Sequence, residues 1–514
     1  MSDKAQFYDP IYKLIVLNDI KTTEMQVFDS QFSSSSKSIL QFLNTFELNR
    51  LSFLRQSGFV FLAYPSSTHT RFSHSIGSCS VGFKALKAIR IQQEEDGSKE
   101  IVEGYKSTIM DLSAWLGQRG WTEEFLLALL LHDIGHFPFS HTLESNLEFW
   151  ECFNDEEKVN HEDLTCLLIQ GPNKGDKEFK DFRKFIQTRL EKNKISDFGC
   201  QFVSDLMQKS QGIDKNILCY FISGNDEYRK HLSDHRKYKE SKIVHQLVSG
   251  LLDLDRMDHY RRDAFFSGIH SGGYINIEGL LEGMLIYYYD NGKEDDFEIR
   301  LSPQAISHAK ELLSAKEELT SSCFKDKQNL AYDAMLHKAI NIYTGVYKLN
   351  GDKFSLTQLE KAFLLFFLSD DELLNELMSS GPTEVKKITF RIQNRLPYLY
   401  VQKKDINTKR YPNLRKLKKA IATQCGLQQH DIVIRPSKTY GLNKKPTEEW
   451  LNLDFLYDEN GVNLRNREEH SSFVKHYKDV QELSPNIVWF FAKDKVHKDK
   501  IAEGIRKELP DSTE

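Results

Sequence analysis

The sequence lacks what a membrane, secreted or disulfide-framed protein needs. Apolar runs such as 125–131 and 362–368 stop far short of the roughly 20 residues that a bilayer-spanning helix requires, so they read as core helices with no membrane role. The start, Met1-Ser-Asp-Lys4, lacks the basic-then-apolar order of a secretory signal. The seven cysteines, Cys79, Cys152, Cys166, Cys200, Cys219, Cys323 and Cys425, are odd in number, widely spaced and without a C-x-x-C pair. That argues against a disulfide framework or a zinc knuckle and fits a reducing compartment, so a cytoplasmic location is expected. Internal repeats are missing, and low complexity is confined to the serines at 33–36.

A large charge imbalance is missing as well: the formal net charge is -5, a mild total that can conceal a basic region. What is present is a chain of 514 residues, 40% hydrophobic and 28% charged, the balance of a water-soluble globular protein. Its length predicts roughly two to four domains, or one large lobe with a smaller one appended.

Residues 37–63 place apolar side chains near helical spacing, with Leu40, Leu43, Leu48, Leu51, Phe53 and Leu54 as expected core contacts. After a Pro65-Ser-Ser-Thr68 break, a helix is expected from Arg71 with His74 in its first turns. A second helix, N-capped by Thr122, acidic in its first turn and apolar all round, is expected to end at Gly135 and deliver His132 and Asp133. Residues 172–240, rich in lysines and acids, read as a solvated helical insertion without chemistry. Helical spacing resumes at 243–266 and 303–346. The expected fold class is mainly α, with a multi-helical lobe over 1–375 and a smaller α+β lobe over 376–514. In the second lobe, strands are expected at 388–392, 399–401, 432–435, 451–456 and 487–491, and helices at 414–424 and 498–508.

Chemistry concentrates in His132-Asp-Ile-Gly-His136-Phe-Pro-Phe-Ser-His141, where three of the 17 histidines and a carboxylate fall together. Imidazole nitrogen with carboxylate oxygen suits manganese, iron or zinc, and a shared carboxylate suits magnesium. Adjacent His132 and Asp133 project about 100° apart on a helix and can grip one ion beside its end. Further ligands must come from elsewhere, and the candidates are His74, in Arg71-Phe-Ser-His74-Ser-Ile-Gly77, and Asp255, within the acidic run 253–263. The bland alternatives are a core histidine ending an apolar helix and a solvated acidic face. Clustering, and the apolar flanks Leu251-Leu252 and Ala264-Phe-Phe266, favour a site.

The order H…HD…D resembles the HD-domain phosphohydrolases, and more closely the deoxynucleoside-triphosphate triphosphohydrolases among them. The similarity runs through Asp9-Pro10-Ile11, Gln56-Ser-Gly58, the segment from Arg71 to Gly77 and the HDIGHFPFSH segment. It recurs at His161-Glu162, 253–268 and Tyr440-Gly441. The resemblance implies a divalent metal (Mn, Fe, Zn or Mg) held by His74, His132, Asp133 and Asp255. It places His136, His141, Glu144 and His161 in the catalytic pocket, Arg71 on substrate phosphate, Gln56 beside the sugar 3'-hydroxyl and Asp263 near the sugar. The implied reaction is hydrolysis of a nucleotide at its α-phosphorus, giving nucleoside and inorganic triphosphate. His141, aided by Glu144 and His161, would protonate the departing 5'-oxygen. A homo-oligomer, dimer or tetramer, is also implied.

Departures fall where substrate should be held. Arg256 stands in place of a lysine and His259 in place of a tyrosine, while Lys316, Thr320 and Phe324 replace an arginine, a histidine and a tyrosine. Arg256, His259 and Lys316 stay as expected substrate contacts. Asn44, Asn49 and Ser52 replace the groups with which the vertebrate member binds an activating guanine nucleotide, so activation by GTP of that kind is not expected.

Between 385 and 446 bases outnumber acids, with Lys386, Lys387, Arg391, Arg395, Lys403, Lys418 and Arg435 among them. This segment could bind nucleic acid, with Tyr398, Tyr400, Tyr411 and Tyr440 for stacking, or be a solvated face or the seat of an acidic partner. An HD-type nuclease or phosphodiesterase acting on single-stranded nucleic acid is therefore the alternative function, and a non-catalytic subunit the third.

Overall fold

The structure, a computed structural model, describes residues 4–18, 39–94, 107–150, 160–171, 201–269 save 211, 233 and 251, 275–289, 297–348, 365, 367–436 save 408 and 412, 456–458 and 487–510. It is mainly α with a smaller α+β part, as expected. Eight helices position the site: α1 (Arg71–Ala88), α2 (Thr122–Leu131), α3 (His161–Gln170), α4 (Lys215–Ser223), α5 (Leu254–Ser267), α6 (Pro303–Glu318), α7 (Lys327–Thr344) and α8 (Thr383–Gln393). No helix among the described residues is long and apolar enough to cross a membrane.

Thr70 caps α1, its hydroxyl accepting from the Ser73 amide. α2 is buried on every side, with Phe125 to Leu131 no more than 1% exposed. Trp121, not Thr122, is its cap residue, and it ends at Leu131 with His132 as C-cap rather than running to Gly135. The physical reason lies in α3: Thr165 Oγ1 donates to the His132 carbonyl and accepts from the Gly135 amide, replacing the intrahelical partners of both. Gly135 is required there because a Cβ would run into the backbone of His161 and Thr165.

Residues 37–63 were expected to be helical, and from Ile39 they form short pieces: 3-10 turns at Ile39–Asn44 and Leu51–Phe53, and helices at Phe46–Arg50 and Val60–Ala63. Leu43, Leu48, Leu51 and Leu54 are buried, whereas Phe53 is 68% exposed and is no core contact. Of the stretch 172–240, residues 172–200 lie outside the described residues. The remainder is largely helical but not simply solvated: Ile217 to Ile222 on α4 are all buried and join the main core, packing on α2 and α3. Charged neighbours had masked that apolar run.

Strands β1 (Lys4–Asp9) and β2 (Lys13–Asn18) form an antiparallel hairpin. β3 (Arg90–Glu94), β4 (Ser107–Asp111), β5 (Met284–Tyr289) and β6 (Phe297–Leu301) belong to one sheet, and β7 (Leu399–Asp405), β8 (Val433–Pro436) and β10 (Ile487–Ala492) to another, in the order β7-β10-β8. The first sheet, ordered β4-β3-β5-β6-β9, is closed at one edge by β9 (Leu456–Asp458), which runs parallel to β6. The expected strands at 399–401, 432–435 and 487–491 are thus found, whereas 451–455 lie outside the described residues. The strand expected at 388–392 is instead helix α8, whose buried Val385, Ile388, Thr389 and Ile392 repeat at helical spacing. Local β-branched composition misled there. Among the described residues packing continues across residue 375: α7, α8 and β8 share one core with Phe59, Phe139 and Phe491.

Candidate metal centre and catalytic pocket

Packing of α1 against α2 and α5 gathers three side chains that are distant in sequence. His74 sits in the first turn of α1, His132 at the end of α2 and Asp255 in the first turn of α5. His74 Nε2 is 2.7 Å from Asp255 Oδ1 and 3.2 Å from His132 Nε2, which lies 3.2 Å from the same Asp255 oxygen. Asp133 stands beside them, Oδ1 3.4 Å from His132 Nε2 and Oδ2 3.9 Å from His74 Nε2. Its second partner is the buried Arg71, Nη1 to Oδ2 at 2.6 Å, while Arg71 Nε donates to Ser140 Oγ. Arg71 is therefore held inside the protein beside a ligand candidate.

The opposite nitrogens show that these residues fit a cation. His74 Nδ1 faces Asp258 Oδ2 at 2.7 Å and His132 Nδ1 faces the Leu129 carbonyl at 3.0 Å. Carboxylate and carbonyl oxygens accept, so each Nδ1 carries a proton, and each ring in its neutral form would turn a bare Nε2 toward the other. Two lone pairs 3.2 Å apart beside an anion repel unless positive charge lies between them. Burial by itself lowers the His74 imidazole, but Asp255 and Asp258 outweigh it and hold it up at about 10, so the positive charge this pocket demands is carried either by a proton on Nε2 or by a cation that displaces it. Burial would raise Asp255, yet His132 and His74 keep it well below the usual carboxylate range. Two imidazole nitrogens with one or two carboxylates form a donor set for a borderline divalent ion.

Next to this centre Glu144, buried, bridges two histidines: Oε2 faces His141 Nδ1 at 2.6 Å and Oε1 faces His161 Nδ1 at 2.8 Å. Burial opposes its charge, but His161 and His141 hold its carboxyl well below the ordinary value. His136 stacks on His161 with ring centroids 3.8 Å apart and lies 3.3 Å from Asp133 Oδ1 through Nε2. Burial, with Arg71 and His161 nearby, pushes the His136 imidazole well below its usual value. Nitrogens of His136, His141 and His161 also come close together. Because the His136 and His161 rings are nearly parallel, at 16°, their in-plane lone pairs do not meet on one ion, so the trio suits proton handling better than a second metal.

A strained turn aims His141. Phe139 and Ser140 both have φ 56°, in the left-handed region that bulky residues avoid. Asp370, distant in sequence and fully buried, locks the turn by accepting from the Phe139 amide at 2.6 Å and the Arg55 amide at 2.9 Å. Ser140 Oγ donates to the Arg55 carbonyl.

The expected substrate contacts line adjoining elements. Asp263 on α5 is met by His69 Nε2 at 2.6 Å, Ser57 Oγ at 2.9 Å and His259 Nε2 at 3.2 Å. Gln56 is buried next to Ser57. Arg256 is paired with Asp253, and burial with Arg256 nearby lowers Lys316 to about 8. Thr320 and Phe324 lie in a π-helical turn, Leu319–Phe324, where the Thr320 hydroxyl is spent on the Lys316 carbonyl. Asp258, His69, Thr165 and Asp370 were not anticipated. Only Asp258 had a readable signal, one turn after Asp255 on the same helix face.

Parts of the basic segment serve packing. Lys418 pairs with Glu148 at 2.6 Å and Arg435 with Asp333 at 3.2 Å, all four buried. Tyr398 and Tyr411 are buried and unavailable for stacking on bases, and Tyr440 lies outside the described residues. Lys386, Lys387, Arg395 and Lys403 are exposed.

No protein-family model matches the chain. It is 24% identical over 305 residues to an uncharacterised protein of Mycoplasma genitalium, covering 59% of this chain and 56% of that one. A protein of Dictyostelium discoideum named deoxynucleoside triphosphate triphosphohydrolase SAMHD1 homolog is 22% identical over 501 residues, 96% of this chain and 80% of its own. A putative HD domain-containing protein of Acanthamoeba polyphaga mimivirus is 23% identical over 244 residues, 48% of this chain and 42% of its own. The chain thus spans about half the length of the Mycoplasma and viral relatives. It resembles HD-domain phosphohydrolases and, among them, proteins named as deoxynucleoside triphosphate triphosphohydrolases.

Proposed function

We propose that the chain is a divalent-metal-dependent phosphohydrolase that cleaves deoxynucleoside triphosphates to nucleoside and inorganic triphosphate. The observation that carries this is the meeting of the His74 and His132 Nε2 atoms with the Asp255 carboxylate beside a carboxylate-bridged histidine pair. His74, His132, Asp133 and Asp255 would hold the ion; bound there, it supplies positive charge that acidifies water and offsets charge developing on phosphoryl oxygens.

The chain's own residues do the rest. Asp258 and the Leu129 carbonyl fix the His74 and His132 tautomers, and Arg71 holds Asp133 in place. Glu144 accepts hydrogen bonds from the Nδ1–H groups of His141 and His161 and so stabilises a His141 imidazolium, whose Nε2 proton would pass to the departing 5'-oxygen. Arg256 and Lys316 offer positive charge to the triphosphate, from which the nucleoside 5'-oxygen departs. A dimer or tetramer belongs to the same proposal, as does manganese, iron, zinc or magnesium as the ion.

The test is product analysis with manganese against a dNTP panel and labelled single strands. Intact inorganic triphosphate supports the proposal; shortened strands, or monophosphate with pyrophosphate, overturn it, the former in favour of a nuclease. Glu144→Gln should lower kcat by about 10²- to 10⁴-fold while manganese stoichiometry stays that of the wild type. Loss of the metal in that variant would contradict the role given to Glu144.

A further inference from the structure

His141 and Glu144 lie on a single helical turn, His141–Glu144, which a second turn, Leu147–Trp150, follows closely. The metal candidates stand on α1, α2 and α5, whereas these two turns pack against α7. Asp333, His337 and Asn341 are buried on α7 and fall four residues apart, so they line one face of that helix. Buried polar side chains need partners, and these three find theirs on the segment that carries His141. Asp333 Oδ1 accepts from Thr142 Oγ1 at 2.6 Å, and His337 Nε2 donates to the Thr142 carbonyl at 2.6 Å. Asn341 Oδ1 accepts from Asn146 Nδ2 at 2.9 Å, and its Nδ2 donates to Glu148 Oε2 at 3.1 Å.

Thr142 is thus held by its hydroxyl and by its carbonyl, one residue after His141. Asp370 holds the Phe139 amide two residues before it. The backbone at His141 is fixed from both flanks while its side chain stays 36% exposed, open to a substrate. Behind α7 stand two cations of the basic segment. Arg435 Nε on β8 meets Asp333 Oδ2 at 3.2 Å, and Lys418 Nζ, on the helix Leu414–Cys425, meets Glu148 Oε2 at 2.6 Å. Asp333 therefore uses one oxygen for each side: Arg435 takes Oδ2, and Oδ1 is turned toward Thr142. A carboxylate buried at this depth needs such a cation, since stranding it is strongly unfavourable.

We propose that Arg435, Asp333 and Thr142 are positioning residues for His141, so that a base of the C-terminal segment sets the proton donor without touching substrate or metal. The inference rests on the reading of His141 as the group that protonates the departing oxygen. Hydrogen-bonded networks in a dry interior are stiff, and a reacting group displaced by roughly 1 Å loses about 10²-fold in rate. Loosening Thr142 should therefore be felt in turnover, while the metal centre, held from α1, α2 and α5, keeps its affinity.

The experiment is a double-mutant cycle on dATP hydrolysis, with manganese affinity measured by calorimetry for every variant. Thr142→Val removes the hydroxyl and keeps the shape, Thr142→Ser keeps the hydroxyl, and each is made with and without His141→Gln. Thr142→Val should lower kcat by about 10- to 100-fold with KM and manganese Kd near wild type, and Thr142→Ser should restore most of the loss. Beside His141→Gln the same valine should move kcat by no more than about twofold, because residues that act as a unit are not additive. Arg435→Gln should show the same dependence on His141. Wild-type kcat in Thr142→Val or in a folded Arg435→Gln protein, a valine effect undiminished beside His141→Gln, or loss of manganese with Thr142→Val overturns this inference and leaves the hydrolase reading standing. If His141→Gln itself turns over like the wild type, the proton-donor role falls and this inference falls with it.

Discussion

Asp258→Asn should weaken metal binding without touching a ligand. Asp258 Oδ2 holds His74 Nδ1 at 2.7 Å, and its two oxygens also grip Arg262 through Nε and Nη2, both at 2.9 Å. Arg262, buried beneath, is shared with Asp9 at 2.6 Å. Asparagine keeps the shape and one accepting oxygen but removes the charge that orients His74 and raises the basicity of its Nε2. Losing such an outer partner typically costs about 10- to 100-fold in metal affinity, or about 1.4–2.7 kcal/mol. Breaking a buried ion pair costs about 3–5 kcal/mol when a charge is stranded. Here the loss is smaller, because Asp9 remains on Arg262 and the amide oxygen still accepts. The assay is manganese titration of metal-stripped protein by calorimetry, with thermal unfolding to confirm that the variant is folded. A folded Asp258→Asn protein with a manganese Kd within about threefold of wild type would refute the tautomer argument, and with it His74 as a ligand.

Gly135→Ala should lower Tm and activity together, at a cost of about 1–3 kcal/mol, because its Cβ meets the backbone of His161 and Thr165, which cannot swing aside; an unchanged melting curve would contradict that packing. Burial lifts the Glu124 carboxyl to about 8 from an unfolded value near 4.5. Between those values the folded state keeps a proton that the unfolded chain has lost, so this group's contribution is present below about pH 4.5 and is lost as pH rises through 8, at up to about 1.4 kcal/mol per pH unit. Glu124→Gln should therefore gain stability relative to wild type at pH 8 compared with pH 5 in paired thermal melts, and a pH-independent difference would show the wrong sign or no linkage. GTP added to a dATP hydrolysis assay should leave the rate flat, since Asn49 spends its amide on the Leu43 and Thr45 carbonyls and Ser52 offers no guanidinium; a steep rise would overturn that expectation.

The metal candidates were legible in the sequence because ligation demands particular chemistry. A histidine next to an aspartate at the end of an apolar helix stands out whatever surrounds it. The residues that orient them do not stand out, since any acceptor in the right place serves. Asp370 reaches Phe139 from 231 positions away, His69 reaches Asp263 across 194 and Asp9 reaches Arg262 across 253. Nothing local announces such pairs. Secondary structure failed in two places for a related reason: composition outvoted period. β-branched residues at 388–392 suggested a strand although the apolar spacing was helical, and the charged surroundings of 172–240 hid the apolar run Ile217 to Ile222.

The departures from the family pattern sort the same way. At the proposed reacting centre the residues are those the resemblance implies, and their geometry is mutually consistent: His74 against His132, Glu144 between His141 and His161. The changed positions, Arg256, His259, Lys316, Thr320 and Phe324, lie on α5, α6 and the π-helical turn that follows α6, on the side where phosphates and sugar would be gripped. A π-turn displaces the residues after it relative to a regular helix, so Thr320 and Phe324 do not simply occupy the places of longer polar side chains. The Thr320 hydroxyl bonds backward to Lys316 and is lost to substrate. On the proposed function, bond cleavage and substrate choice would therefore be carried by separable walls of one cleft. Substitutions on the α5–α6 side should move KM and sugar preference, whereas those at Glu144 should move kcat, and finding the reverse split would show that the two walls act as one.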